Sequence, residues 1–232
     1  MSIYLGNDKL GAIYIGSDKI GEIYIGSTKV YSSAPVSGVV IGGKRYPTCI
    51  MPDGHEWLAC NLDFTWNGLT VATDNAGVVS ARSGSTAVYY NYDETTYGWS
   101  GNKYGLLYNG NAVRAMAASQ ATLFPGWHVP TDDECWPLFG SMIGSTNMAK
   151  LKAVGEWGSQ TATDDYGFHL LPAGWLNLPA GSSAAVFNGL GTAATWWAPG
   201  SPNYFYRVTG TLESYNADLS VYYASLRLVK DY

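Results

Sequence analysis

The sequence predicts an α+β fold preceded by a small β-repeat module. Three observations carry that expectation. A ten-residue phrase opens the chain three times, as "IYLGNDKL", "IYIGSDKI" and "IYIGSTKV", and then stops. Glycine, tyrosine and tryptophan number 28, 18 and 9 among 232 residues while only 13% of residues are charged, a mix that suits strands and turns. Two later stretches, residues 111–120 and the run from the Thr131 cap through Leu138, Phe139, Met142 and Ile143, carry helix signals.

The repeat reads as strand, turn and strand fragment. Ile3 and Leu5 point one way and Tyr4 the other, because side chains alternate along a strand. Gly6-Asn7-Asp8-Lys9 is turn chemistry, since Gly tolerates positive φ and Asn and Asp bond their own backbone. Three such units make a small meander or a few rungs of a β-stack, with Tyr4, Tyr14 and Tyr24 as a ladder that needs covering. Repeats that cannot close their own core usually meet neighbours, so residues 1–31 read as an attachment or oligomerisation module. The module would be completed by a partner protein or by further copies of the chain, as in a trimer. The alternative is a β-subdomain packed on its own chain. The Ser-, Gly- and Pro-rich residues 32–38 form a linker, and residues 39–232 form the main domain.

Within that domain, "GVVIGGKRYPTCIMPDGHEWLACNLDF" alternates around Gly42-Gly43 and Pro52-Asp53-Gly54, as a hairpin does. Thr131 and Glu134 have capping-box spacing, and Asp132 and Asp133 favour the positive end of the helix they open. Leu138, Phe139, Met142 and Ile143 are the expected buried stripe. Pro137 interrupts it, and an interior proline costs about 3 kcal/mol, so a kink or local break is expected there.

Charge and composition exclude several functions. A net charge of −5 with no basic run argues against nucleic-acid binding. Met1-Ser2-Ile3-Tyr4 opens no signal peptide, and no stretch approaches ~18 uninterrupted apolar residues, so neither export by that route nor membrane insertion is expected. Cys49, Cys60 and Cys135 are odd in number and lack CxxC spacing, which fits reduced, mostly buried thiols.

Six motifs, "DGHEWLACNLDF", "YGLLYN", "PGWHVPTDDE", "FHLLPAGWLN", "FNGLGTAATWWA" and "SLRLVKD", resemble in kind and order the Fibrobacter succinogenes major paralogous domain family. The resemblance covers roughly residues 39–231. It implies a C-type-lectin-like domain, related to formylglycine-generating enzymes and to the variable proteins of diversity-generating retroelements. Its N- and C-terminal strands would share one sheet. Cys135 stands where the family usually has Trp, and Leu228 where it often has Cys, which removes any family disulfide at the C-terminus. The decad repeat lies outside this likeness and resembles N-terminal modules of bacteriophage tail and tail-fibre proteins, which implies other virion or tail proteins, or the chain itself, as partners of residues 1–31.

No catalytic residue, metal site or cofactor is expected. Formylglycine-generating chemistry needs paired cysteines late in the fold, and none follows Cys135. His55, His128 and His169 lack HxxxH or HxH spacing, and His128 reads as a satisfied core histidine. Asp164 and Asp165 read as a polar turn. Ser201-Pro202-Asn203 is the nearest approach to a lectin calcium motif, and its serine cannot replace the chelating carboxylate.

The remaining signal is residues 195–226, dense in Tyr, Asn, Ser, Asp and Gly. That composition resembles an antibody paratope, where Tyr and Trp give contact area and the small polar residues give adaptable hydrogen bonds. In retroelement-diversified relatives this segment is the variable, ligand-facing surface. The candidate ligand-binding residues are Trp197, Ser201, Asn203, Tyr204, Tyr206, Ser214, Tyr215, Asn216, Asp218, Ser220 and Tyr222. Alternation puts Tyr204 and Tyr206 on one face and Phe205 on the other, and of Trp196 and Trp197 at least one is buried. The expectation is a non-enzymatic phage tail adhesin, carried in the virion, that recognises a host cell-surface protein or glycan. Its rivals are a structural tail component without a host ligand and a formylglycine-generating type of enzyme.

Overall fold

The computed structural model describes residues 38–72, 75–89, 104–200, 204–216 and 218–231, together with short paired strands within the first 32 residues. The chain divides into two compact units, Met1–Gly38 and Val39–Tyr232.

In the first unit each decad is one antiparallel hairpin. Strands β1 (Tyr4–Leu5) and β2 (Asp8–Lys9) pair Tyr4 with Lys9 and Leu5 with Asp8. Strands β3 (Tyr14–Ile15) and β4 (Asp18–Lys19) repeat that register ten residues on. Strands β5 (Glu22–Ile25) and β6 (Thr28–Ser32) form the third and longest hairpin. Lys9 and Lys19 lie in strands rather than in the expected four-residue turn, so the return begins two residues early. Among the described residues each hairpin is its own two-stranded sheet and no meander joins them. The side chains of Tyr4, Tyr14 and Tyr24, and hence the expected ladder, lie outside the described residues.

The second unit is a mixed, sheet-rich α+β fold. Its five-stranded sheet holds β7 (Gly38–Ile41), β8 (Lys44–Ile50), β9 (Glu56–Leu58), β13 (Trp127–His128) and β20 (Val229–Lys230). Their spatial order is β13, β20, β9, β8, β7. Trp57 pairs with Val229, so the two ends of the domain share this sheet, as the family resemblance implies. Gly42 and Gly43, with φ of 57° and 81°, turn β7 into β8 in the left-handed region that only glycine enters freely.

A six-stranded sheet holds β10 (Thr70–Ala72), β11 (Thr86–Tyr89), β12 (Leu106–Asn109), β14 (Ala173–Asn177), β15 (Val186–Leu190) and β19 (Tyr222–Ala224). The spatial order within it is β10, β11, β12, β19, β14, β15. Asn109 ends β12 and caps helix α2 (Gly110–Ala118), which follows the short α1 (Asn75–Ser80) in sequence. The Asn109 side chain accepts the Ala112 N–H at 2.9 Å and the Thr86 N–H at 3.1 Å, and donates to Gly84 at 2.8 Å. Both acceptor positions of its oxygen and one of its two donors are thus used, where an orphaned buried amide is costly.

The second helical stretch departs from expectation. Helix α4 (Asp132–Cys135), which follows the single turn α3 (Gln120–Leu123), runs straight into a π-helical segment, Trp136–Met142. The Ile143 N–H reaches back five residues to Leu138 at 2.9 Å. Pro137 has no N–H to give an α-helical ladder, and the wider winding absorbs that loss without ending the helix. The change of winding also decides the buried face. Leu138, Phe139 and Ile143 are buried, whereas Met142, expected in the same stripe, is 57% exposed. Gly140 completes the turn, since a Cβ there would stand 2.9 Å from the Trp136 ring.

Arg227, from the terminal motif, is fully buried and has no carboxylate among its hydrogen-bond partners. Its guanidinium donates to Asn61 at 3.0 Å, to the Leu58 and Phe168 carbonyls, and to the His169 carbonyl at 2.9 Å. The charge lies 4.1 Å from the centre of the Phe168 ring. Burial lowers its pKa to about 10, which still leaves it charged at neutral pH. The expected turn at Asp164 is present: at φ 49° its carboxylate accepts the His169 N–H at 2.8 Å.

Candidate functional site

The tyrosine-rich segment folds as a three-stranded antiparallel sheet: β16 (Ala194–Ala198), β17 (Tyr204–Val208) and β18 (Leu212–Asn216). Its register sets two faces. Thr195, Arg207 and Glu213 stand abreast on one face, with Trp197, Phe205 and Tyr215 beside them. Trp196, Tyr206 and Ser214 stand abreast on the other.

At Trp196 and Tyr206 that second face is core, which corrects the expectation for Tyr206, while Ser214 at its edge is exposed. Tyr206 is buried, stacked on Trp196 with ring centres 5.6 Å apart, and its hydroxyl donates to the Asp132 carboxylate at the start of α4. Trp196 in turn meets Phe139 of the π-helical segment edge-on at 5.3 Å. Both faces of β17 are covered here: Phe205 is buried as well as Tyr206, which points inward with its hydroxyl bonded to a carboxylate. Trp197 is corrected too. It is buried, donates its indole N–H to the Tyr108 carbonyl at 2.7 Å, and meets Phe205 edge-on at 5.7 Å. Both tryptophans are core, where at least one was expected to be. Since β17 is the middle strand, alternation alone could not decide which of its faces is wet.

The exposed end of the other face is a small built cluster. Arg207 forks onto Glu213 through Nε at 2.9 Å and Nη2 at 2.7 Å, and Nη2 also donates to the Tyr215 hydroxyl. That hydroxyl donates to Glu213 at 2.8 Å. The guanidinium lies 4.7 Å from the centre of the Tyr215 ring and 5.4 Å from that of Trp175 in β14. Hydrogen bonds from Arg207, then from Tyr215, hold the Glu213 carboxyl below its ordinary range. The cluster therefore stays an ion pair at neutral pH and fixes Tyr215, 39% exposed, in one orientation. Trp175, Arg207 and Glu213 are not among the residues expected from the sequence. The "PAGWLN" motif contained the first, and the six-residue separation of the other two across a hairpin was the available signal.

Below this cluster the chain turns at residues 218–221. Asp218 accepts the Ser220 N–H at 2.9 Å and the Ser220 hydroxyl at 2.7 Å, so these two polar residues serve the turn and each other. Leu219 seats on Gly110, whose N–H donates to the Leu219 carbonyl at 2.8 Å. A Cβ at Gly110 would stand 2.7 Å from the Leu219 Cα, so only glycine fits. Tyr222, half-buried, packs on Phe205 with ring centres 5.5 Å apart, on the face that also carries Tyr215. Ser214, Tyr215, Asn216 and Asp218 are exposed and Ser220 is half-buried. Tyr215 and Tyr222 thus both meet Phe205 on one face, Ser214 and Asn216 alternate to the other face of β18, and Asp218 and Ser220 bond each other in the turn. Ser201 and Asn203 lie outside the described residues, as does the side chain of Tyr204, whose backbone pairs with Ala198 and Asn216.

Elsewhere, titratable groups serve the fold. Cys49, Cys60 and Cys135 are free. Burial pushes the Cys49 thiol up to about 12, raises Cys60, and raises Cys135 further. His128 is not a simple core histidine. Its Nε2 lies 2.6 Å from Glu134 and its Nδ1 2.6 Å from Asp231, which raises its pKa despite partial burial. Among the described residues no three His, Cys, Asp or Glu side chains gather as a metal site would require.

A sheet-rich α+β domain closed by its own termini, with a tyrosine-bearing surface sheet, is the class of protein the geometry defines. The chain belongs to the Fibrobacter succinogenes major domain family, whose model matches residues 53–230. No curated protein and no solved structure matches it.

Proposed function

We propose that the chain is a non-enzymatic receptor-binding protein with a C-type-lectin-like domain, a phage tail adhesin whose residues 1–31 attach or oligomerise it. Its recognition surface is the exposed end of β17–β18 with the turn that follows. One observation carries this reading: Arg207 and Glu213 use their charges to hold Tyr215 in place at the surface, with Tyr222 on the same face and the exposed Ser214 and Asn216 flanking it along the strand. A pre-ordered aromatic with short polar neighbours along its strand loses little entropy on binding. The high thiol pKa values favour binding over nucleophilic chemistry, because the thiolate is the reactive form. The ligand would be a host cell-surface protein or glycan, and several copies on one particle would multiply a modest single-site affinity.

The test is binding of fluorescently labelled full-length protein to a panel of bacterial strains. A Tyr215→Ala, Asn216→Ala double variant that melts like the parent should lose most binding to the strains the parent marks. Equal binding by parent and variant would overturn this assignment of the surface.

A further inference from the structure

Resting on that reading, we infer that the ligand is an extended polypeptide strand that adds to the free edge of β18. Backbone bonding fixes where the edge is open. The Trp197 N–H leaves the sheet for the Ser225 carbonyl at 3.2 Å, and the Leu212 N–H leaves it for Ser145 at 2.9 Å. Hydrogen-bonded and non-bonded pairs alternate along an antiparallel ladder. The β17–β18 ladder bonds therefore fall at the Phe205–Tyr215 and Arg207–Glu213 pairs. Ser214 and Asn216 then direct their N–H and C=O groups away from the sheet. Among the described residues no strand pairs with β18 on that side.

Sheet edges in proteins are normally guarded by lysine, proline, a bulge or a free charge. This one has none of those guards. Leu212–Asn216 reads LESYN, its five pairs with β17 run without a register shift, and its only charge, Glu213, is neutralised by Arg207. The groups left open are alternate backbone donors and acceptors at strand spacing, and the chemistry that complements them is another extended backbone. A sugar offers hydroxyls without that repeat. Tyr215 then supplies a rigid side-chain contact for the added strand, on the face that Arg207 stiffens. A stable pair of folded copies needs about 1,200 Å² or more of buried surface, which an edge open at two residues does not supply alone. A flexible segment of a partner protein, held weakly by each of several copies, fits the site better.

The test uses an array of random-sequence linear peptides beside a glycan array, both probed with the full-length chain and its Ser214→Pro variant. Proline is tolerated on an edge where the N–H faces solvent, so this variant should melt like the parent while removing one donor and blocking approach. The expected result is peptide binding that falls about tenfold or more in Ser214→Pro. It should fall similarly when alternate amides of the selected peptide are N-methylated, a readout independent of how the variant folds. Peptide binding indifferent to both changes overturns the inference. Glycan binding that is lost in Tyr215→Ala also overturns it but leaves the recognition surface standing. Concentration-dependent self-association abolished by Ser214→Pro overturns it in favour of a second copy as the occupant. Binding to neither array overturns the inference and removes support for the recognition reading as well.

Discussion

The hydroxyl of Tyr206 donates to the carboxylate of Asp132, tying the middle strand of the surface sheet to the first turn of the capped helix. Tyr206 is therefore a structural residue, although its strand looks like a binding strand in sequence. Tyr206→Phe should lower stability by about 1.5–3 kcal/mol, the worth of a hydrogen bond to a charged group. Asp132→Asn should do less, and the double variant less than the sum, because both remove one interaction. Urea denaturation checks this, and a Tyr206→Phe variant as stable as the parent would contradict the inward placement.

Arg227 should be the costliest single change in the terminal motif. Its fork satisfies Asn61 and three backbone carbonyls at once, and a lysine cannot reach all four. Arg227→Lys should cost about 3 kcal/mol or more by denaturant titration, because it strands several buried acceptors.

The His128 triad sets a pH window for stability. The folded pKa of His128 is raised above 6.5, first by its hydrogen bond to Glu134. Its contribution is full below that value and is lost as pH rises through the folded pKa. Glu134 is lowered below 4.5: burial pushes it up, but hydrogen bonds from His128 and Thr131 outweigh that. Its contribution is present above 4.5 and lost as pH falls through the folded pKa. Stability from the triad should thus peak between the two, and His128→Gln should flatten Tm against pH on both sides of that window.

The three cysteines should be slow to react. With Cys49 near 12 and Cys60 and Cys135 raised by burial, little thiolate exists at pH 8. Titration with an aromatic disulfide should detect almost no thiol in native protein and all three after denaturation.

Gly110→Ala should act at a distance. A Cβ there displaces Leu219 and with it the Asp218–Ser220 turn. The expected outcome is a Tm loss of several degrees together with weaker ligand binding, read by calorimetry and by the cell-binding assay.

Much of the fold was legible in sequence because local chemistry decides it. Gly42-Gly43, the Thr131–Glu134 cap and the helix after Asn109 each rest on residues within a few positions of one another. The π-helical winding after Trp136 was half legible: Pro137 announced a break, but only the packed structure shows that widening the helix replaces it and expels Met142. The site was legible as a segment and not as a list. Tyr206 and Tyr215 look alike in sequence, and their fates are set by Asp132 and Arg207, 74 and 8 residues away. Trp175 joins the site through a separate sheet, which no local pattern reveals.

The central claim is that the exposed end of β17–β18 and the following turn form a diversified recognition surface. Deep sequencing of the 3′ end of the gene across its source population tests it most directly. The account predicts substitutions clustered at adenines in the codons for Ser214, Tyr215, Asn216, Asp218, Ser220 and Tyr222, with those for Trp196, Trp197, Phe205 and Tyr206 unchanged. A 3′ end that is uniformly quiet, or that varies equally at the buried and exposed positions, would contradict it.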